Sequence, residues 1–336
     1  MKHLFVINSH TTFLTAMGTV EYLHLSEDGV IFAYMRNYKN TVVDVPYRVV
    51  DVTELYDNTV LYYNGKPLKD VVNEIDKFVD REIKEEYSLY IPHLVVPLFK
   101  ILYTNIRCKR VSYIQEGAYT SRKAFCTDIP LYKRMKNFIK LRFCGDRWFD
   151  GEWYMAGTIY KQRSLDSYAI NDKFWEYLPS CNHIIRWPKV ELNLKLDRTC
   201  PIFIFDGFIK NGHAEAEVYM WNIRKLIIEY SSSAGNYIKF HPAQSEDEQK
   251  EIRRLFHDER KKISIIDNAI PMELIITSTN KMTFVGFGSS LLFYAHDNGH
   301  TVYCHDDWMK ETSEKYRNLS MRYGVPTFKE YYDKNK

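Results

Sequence analysis

Residues 281–291 read KMTFVGFGSSL. The β-rich apolar run 282–285 turns directly into Gly286-Phe287-Gly288-Ser289-Ser290, and a helical pattern follows at 291–296. A short apolar strand, a glycine-serine turn and a helix make one βα unit. The same succession recurs on both sides. Upstream, a strand at 202–205 leads through a loop at 206–213 to a helix at 214–230, with Val218, Trp221, Leu226 and Ile228 among its apolar positions. A strand at 237–240 meets His241-Pro242, and a helix at 246–256 and a strand at 263–266 follow. A helix at 271–277 is opened by Pro271 in its first turn. Downstream come a strand at 301–304 and a final helix at 308–323. This alternation predicts a mostly parallel sheet with helices on both faces.

The first half shows a looser version of the pattern. Apolar or β-rich runs at 3–8, 30–35, 89–92 and 111–114 read as strands. Helical spacing appears at 13–23, 68–85 and, despite Pro97, 94–103. The last of these strands runs into Gln115-Glu116-Gly117. Residues 145–195, with Trp148, Trp153, Trp175 and Trp187, define no elements. The expected class is α/β, with two Rossmann-like domains facing a central cleft. The expected boundaries are 1–197, 198–310 and a C-terminal helical segment at 311–336, with a linker at 197–201. A chain of 336 residues accommodates two domains of about 100–200 residues each.

Composition narrows the classes. With 45% hydrophobic and 26% charged residues the chain can build cores and is not disordered. A net charge of +3, from 46 basic and 43 acidic residues, excludes a general nucleic-acid binder. The six cysteines are scattered, with no CxxC and no histidines at zinc spacing, so free thiols and a cytoplasmic location are expected. The N-terminal apolar run is too short for a signal peptide. The most apolar stretch, 87–106, carries His93 and Lys100 and is broken by Pro92 and Pro97, unlike a spanning helix. Residues 122–147 hold eight basic residues against Asp128 and Asp146. Such a segment is either an ordinary solvated helix or one that rests peripherally on an anionic inner membrane.

Ligands of open α/β sheets bind beyond the carboxyl ends of the strands. Three polar clusters stand there. In the first, Gly286 and Gly288 allow close backbone approach, and Ser289 and Ser290 open a helix whose free N–H groups favour an anion. An ordinary N-cap at Ser289 is the plain structural alternative. In the second, Pro242 keeps His241 extended, and a histidine at a strand end can donate to a phosphate or act as an acid. In the third, Glu116 stands where a carboxylate can take a proton from a hydroxyl, or cap the next helix. Glu273 opens the apolar run Pro-Met-Glu-Leu-Ile-Ile; it either accepts from both ribose hydroxyls of a nucleotide or complements the helix dipole. The set suits transfer from a nucleotide-linked donor to a hydroxyl acceptor. No Asp, Glu or His cluster has metal spacing, so neither a metal nor a resident cofactor is expected.

Gln115-Glu116-Gly117, Lys239-Phe240-His241-Pro242, Ile270–Thr277 and Ser289-Ser290-Leu291, in that order, resemble bacterial sialyltransferases of the two-domain GT-B fold, glycosyltransferase families 52, 38 and 80. The shared marks are an acidic D/E-D/E-G motif, an HP motif and an SS motif. The resemblance implies Glu116 as general base and His241 as the group that binds and protonates the departing CMP phosphate. It implies that Pro242, Gly288, Ser289 and Ser290 form the phosphate site and that Glu273 binds the ribose. The implied reaction is metal-independent and inverting. It moves sialic acid from CMP-sialic acid to a hydroxyl, expected on a terminal galactose of a surface lipopolysaccharide or capsule. Gln115 departs from the motif, which has two acidic residues. Two alternatives follow: transfer of Kdo or another nonulosonic acid from its CMP form, or an inactive nucleotide-binding or scaffolding protein.

Overall fold

The computed structural model describes residues 1–40, 43–63, 68–93, 96–117, 166–175, 181–192, 194–278, 281–323 and 326–333. The basic segment 122–147, Trp148 and Trp153 lie outside the described residues. The chain divides into two compact units, Met1–Pro188 and Lys189–Lys336. The expected join was near 198; residues 189–197 cluster with the second unit instead.

The described strands of the first unit are β1 (Lys2–Ile7), β2 (Val30–Tyr34), β3 (Arg48–Asp51), β4 (Tyr87–Ile91), β5 (Cys108–Ile114), β6 (Asp166–Ala169) and β7 (Cys181–Ile184). They form one parallel sheet in the order β3-β2-β1-β4-β5-β6-β7. Leu4, Phe5, Val6 and Ile7 are fully buried. Each such side chain contributes about 1.5–3 kcal/mol through removal from water, so β1 anchors the sheet. Ser9 then caps α1 (His10–Tyr22) in a capping box with Thr12. Between β3 and β4 lie α2 (Thr53–Tyr63) and α3 (Leu68–Phe78).

Two sequence readings shift here. The helix expected over 68–85 ends at Phe78, and a π-helical turn at Val79–Ile83 follows, closed by Lys84 at φ 65°. Pro97 does not interrupt a helix but starts one, α4 (Pro97–Thr104), because the first turn needs no N–H from it.

The second unit holds β8 (Ile202–Phe205), β9 (Asn236–Phe240), β10 (Ile263–Ile265), β11 (Thr283–Gly286) and β12 (Thr301–Cys304). They form a parallel sheet in the order β10-β9-β8-β11-β12. Its helices are α5 (Ala216–Tyr230), α6 (Glu246–Asp258), α7 (Met272–Ser278), α8 (Ser290–Asp297), α9 (Asp306–Thr312), α10 (Glu314–Tyr323) and α11 (Phe328–Asp333). Gly286 lets β11 lie against β8, since a Cβ there would stand 2.5 Å from the Ile204 carbonyl oxygen.

The buried face of α5 is Tyr219, Asn222, Ile223, Leu226 and Ile227. Trp221 and Ile228, expected on the apolar face, are 56% and 59% exposed. Helical spacing from Tyr219 selects positions four, seven and eight residues on, and Trp221 falls off that stripe. The single final helix expected over 308–323 is two helices broken at Ser313, which is extended. The Ser313 hydroxyl accepts from the Tyr316 N–H and donates to Glu215, so it ends α9 and caps α10.

Candidate functional site

In the first sheet the strand order reverses between β1 and β4, and the residues just past β1, β4 and β5 meet there. Asn8 Nδ2 donates to Glu116 Oε1 at 2.5 Å. His93 Nε2 lies 3.3 Å from Glu116 Oε2, with the two side chains 12% and 18% exposed. Burial pushes the Glu116 pKa up, but the His93 hydrogen bond and charge, the Asn8 amide and the Arg36 charge outweigh it, and the net shift is downward. Glu116 is therefore an ionised carboxylate held by two side chains. His93 is fixed in turn by packing on the Phe99 ring, 5.3 Å between centroids.

Gln115 has a different job. It is 1% exposed, and its Oε1 accepts from the Ile170 N–H at 3.0 Å while its own N–H donates to the Tyr168 carbonyl. It bonds the end of β5 to the end of β6. An amide serves there because the position needs an acceptor and is sealed from water, where a carboxylate would carry an unneutralised charge.

In the second unit His241 follows β9. Its Nδ1 accepts from the Ala243 N–H at 3.0 Å, and its own N–H donates to Gln244 Oε1 at 2.8 Å. Because Nδ1 is an acceptor, the neutral ring carries its proton on Nε2. The residue is exposed at the surface, yet partial burial of the ring lowers its pKa. Pro242 is exposed beside it. Two residues earlier on the same face of the strand, Lys239 is 8% exposed and its Nζ donates to the carbonyls of Asp267 and Ile270 at 2.6 and 2.8 Å. That loop leads into α7 and Glu273, which is half-buried in its first turn. Burial lowers the Lys239 pKa, opposed by the charges of Asp267 and Glu273. Lys239 thus braces the segment that presents Glu273.

Ser289 is the N-cap residue of α8 and is 6% exposed, but its side chain makes no capping bond; Ser290 is the first helical residue. The Ser289 hydroxyl hydrogen-bonds the carboxyl of Asp206, the residue after β8. Gly207 is next, and a Cβ on it would stand 3.5 Å from His241 Nδ1. Residues 206–207 therefore join the Ser289 loop to His241 where this sheet's order reverses. A Cβ on Gly288 would meet the Tyr316 hydroxyl at 2.6 Å and Asp306 Cβ at 3.4 Å, so the loop lies close on α9 and α10. Asp306 is 3% exposed, and burial pushes its pKa up to about 6 against the Phe328 N–H that its Oδ2 accepts from at 2.8 Å. Burial also raises the Cys304 thiol, with the Asp306 charge adding.

The expected residues of the second unit thus gather at one sheet end. Asn8, His93, Asp206 and Lys239 join the site residues found in the structure. The first three stand one or two residues past a strand end, which is the signal that could have found them. Contrary to the expectation from spacing, one mixed metal-donor set does assemble among the described residues. Asp166, Cys181 and His183 have ligand atoms within 4.8 Å of one another at β6 and β7. Asp166 already pairs with Arg110 and His183, and His183 Nδ1 meets the Tyr22 hydroxyl. No helix among the described residues is long and apolar enough to cross a membrane.

Residues 23–301 match the family described as alpha-2,8-polysialyltransferase (POLYST). The chain belongs to the alpha-2,8-polysialyltransferase family. Every site residue above except Asn8, Asp306, Cys304 and the C-terminal helices falls inside that span. This polysialyltransferase-family chain is similar in structure to spinosyn rhamnosyltransferase SpnG complexed with thymidine diphosphate, at 13% identity and TM-score 0.52, covering 96% of this chain and 84% of that one. A second SpnG structure gives 11% identity and TM-score 0.53, covering 96% and 92%. Spinosyn forosaminyltransferase SpnP gives 12% identity and TM-score 0.51, covering 98% and 92%. The fold is of the GT-B glycosyltransferase type. No curated protein sequence matches the polysialyltransferase-family chain significantly. Its activity is sialyltransferase-like glycosyl transfer.

Proposed function

We propose that the chain moves sialic acid from CMP-sialic acid to a hydroxyl of a bacterial surface glycan, by a single inverting displacement. The observation that carries this reading is the ionised Glu116, held by Asn8 and His93 at a strand end within the family-matched residues. In this reading residues 1–197 serve the acceptor and 198–310 hold CMP. Glu116 accepts the proton of the acceptor hydroxyl as that oxygen bonds to the anomeric carbon. The bond from that carbon to the phosphate oxygen breaks, its electron pair goes to CMP, and the transition state is oxocarbenium-like, as in glycoside hydrolysis. His241 presents Nε2–H to the phosphate as charge develops on it. Ser289, Ser290 and the α8 N-terminus, with Gly288 and Pro242 shaping the backbone, bind the same charge. Glu273 accepts from the ribose hydroxyls.

Two features sharpen the reading. The burial of Gln115 in the sheet seam gives that residue a structural role and supports the active reading, with Glu116 the carboxylate at this sheet end among the described residues. The family's description favours a sialic acid acceptor, bonded α2→8, over the terminal galactose expected from the motifs. The test is CMP release from CMP-Neu5Ac with sialyl and galactosyl acceptors, with CMP-Kdo as the competing donor. Turnover with CMP-Neu5Ac and a sialyl acceptor, persisting in EDTA, supports the proposal. Turnover with CMP-Kdo alone, or none with any donor, overturns it.

A further inference from the structure

The Asp206 carboxyl hydrogen-bonds the Ser289 hydroxyl, and the donor reading above leaves it without a role. We infer that Asp206 is the positioning residue for the Ser289 hydroxyl: its protonated carboxyl donates to Ser289 Oγ, and Ser289 then gives its own proton to the phosphate of the nucleotide. The inference rests on the proposed CMP-sialic acid reading and deepens it.

Three observations carry it. First, Ser289 is an N-cap residue that does not cap, and its hydroxyl is taken up by Asp206. Second, Asp206 stands just past the end of β8, where the sheet order reverses, and the next residue, Gly207, lies against His241. Third, Asp206 Oδ2 is sealed from solvent with no hydrogen-bond partner. An ionised carboxylate with one oxygen so placed costs several kcal/mol of desolvation, whereas the neutral acid leaves only a carbonyl or O–H there. A hydroxyl has one proton to give. If Asp206 is ionised it takes that proton, turns the Ser289 lone pairs toward the ligand, and adds a like charge. If Asp206 is protonated the direction reverses, and the loop offers a donor in a neutral setting. Burial places the Asp206 pKa at about 7, lowered only in part by the Ser289 bond, so the choice falls in the working range.

Other titrating groups face the same place. His241 lies across Gly207, Cys304 and Asp306 lie on β12 and α9, and from α5 the Tyr219 hydroxyl donates to the Asp206 carbonyl oxygen at 3.0 Å. Glu248 of α6 acts on Tyr219. The phosphate itself has a second pKa of about 6. His241 is lowered, and Cys304 and Tyr219 are raised, so none of them titrates between pH 7 and 8. Asp306, at about 6, titrates below that window. All of these persist in Asp206→Asn, which removes only the Asp206 proton.

The experiment is CMP binding by calorimetry from pH 6 to pH 8, for wild type and Asp206→Asn. If only the protonated form binds, the competent fraction of wild type falls from about 0.9 to about 0.1 over that range, and affinity falls about tenfold. Between pH 7 and pH 8, where Asp306 and the phosphate are already ionised, the profile of Asp206→Asn stays nearly flat while that of wild type falls about fivefold. Wild type alone supplies a second readout: in buffers of different ionisation enthalpy it takes up about one proton per CMP bound at pH 8. Parallel pH profiles in the two proteins, or no proton uptake, overturn the inference while leaving the CMP reading intact. No CMP binding by wild type at any pH overturns both.

Discussion

The two strand-end sites use the same topology and the same functional group, a carboxyl, to opposite ends. Past β5, Glu116 is half-buried, yet His93, Asn8 and Arg36 pull its pKa down. Past β8 and β12, the half-buried Asp206, with its Oδ2 sealed, and the buried Asp306 have no cation among the groups that shift them, and their pKa values rise to about 7 and about 6. Desolvation acts on all three carboxyls, so neighbours decide the outcome. The first end keeps a charge ready to accept a proton. The second makes its acids harder to ionise, Asp206 most of all, which lessens like-charge repulsion of a phosphate.

The sharpest way to break that contrast is to neutralise the charged end. Glu116→Gln keeps shape and removes the proton acceptor; turnover should fall by about 10²–10⁴, the usual worth of a general base, with CMP affinity unchanged. Steady-state CMP release with parallel CMP titration checks this, and a loss of affinity equal to the loss of turnover would show that Glu116 belongs to donor binding instead. His241→Ala should cost about 10²–10³ in turnover, as for loss of one donor to developing charge, and should also weaken CMP. The two variants thus separate the ends by whether binding moves with rate.

The sequence pattern made this contrast only half visible. Strands β1, β5, β8, β9 and β11 end in largely buried residues, and Glu116, His241 and Ser289 were found by following such runs to their ends. β3 and β7 gave no such signal. They are edge strands, largely exposed, with the sequences RVVD and CNHI, and an edge demands less apolar surface. The partners of Glu116 and Ser289 were hidden for another reason. Asn8 and Glu116 are 108 residues apart in sequence, and only the parallel order β1-β4-β5 brings them together. Asp206 has no motif around it; its meaning comes from its hydrogen bond to Ser289. Trp221 misled because residue type was weighed above helical spacing.

The His93 contact tests the comparison from the side of its cause. Burial raises the Glu116 pKa, and His93 is the largest of the effects that reverse it. His93→Ala should therefore let desolvation win and raise that pKa. The proposed mechanism needs the ionised form, so the acid limb of the rate profile should move to higher pH, by about one unit for each 1.4 kcal/mol of lost interaction. The loss should be several-fold at pH 6 and small at pH 8. An unshifted limb with uniformly lower rates would make His93 a packing residue against Phe99 and nothing more.

The smallest expected effect concerns stability. The folded-state pKa of Asp206 lies above the ordinary carboxyl value, so the folded chain binds the proton more tightly than the unfolded one. Stability from this group is then fully present below about pH 4 and declines as pH rises through about 7. Above that pH the carboxylate is ionised with Oδ2 sealed and unpaired. Asp206→Asn removes the titration, so it should raise the melting temperature by a few degrees at pH 8 and change it little at pH 4; about 1 kcal/mol moves Tm by 2–4 °C in domains of this size. Glu116→Gln should do the reverse at pH 8, because it removes a carboxylate that His93 and Asn8 stabilise. Scans of the two variants at pH 4 and pH 8 must therefore move in opposite directions at the higher pH. If both lose stability there, the two ends hold their carboxyls in the same way and the contrast between them is wrong.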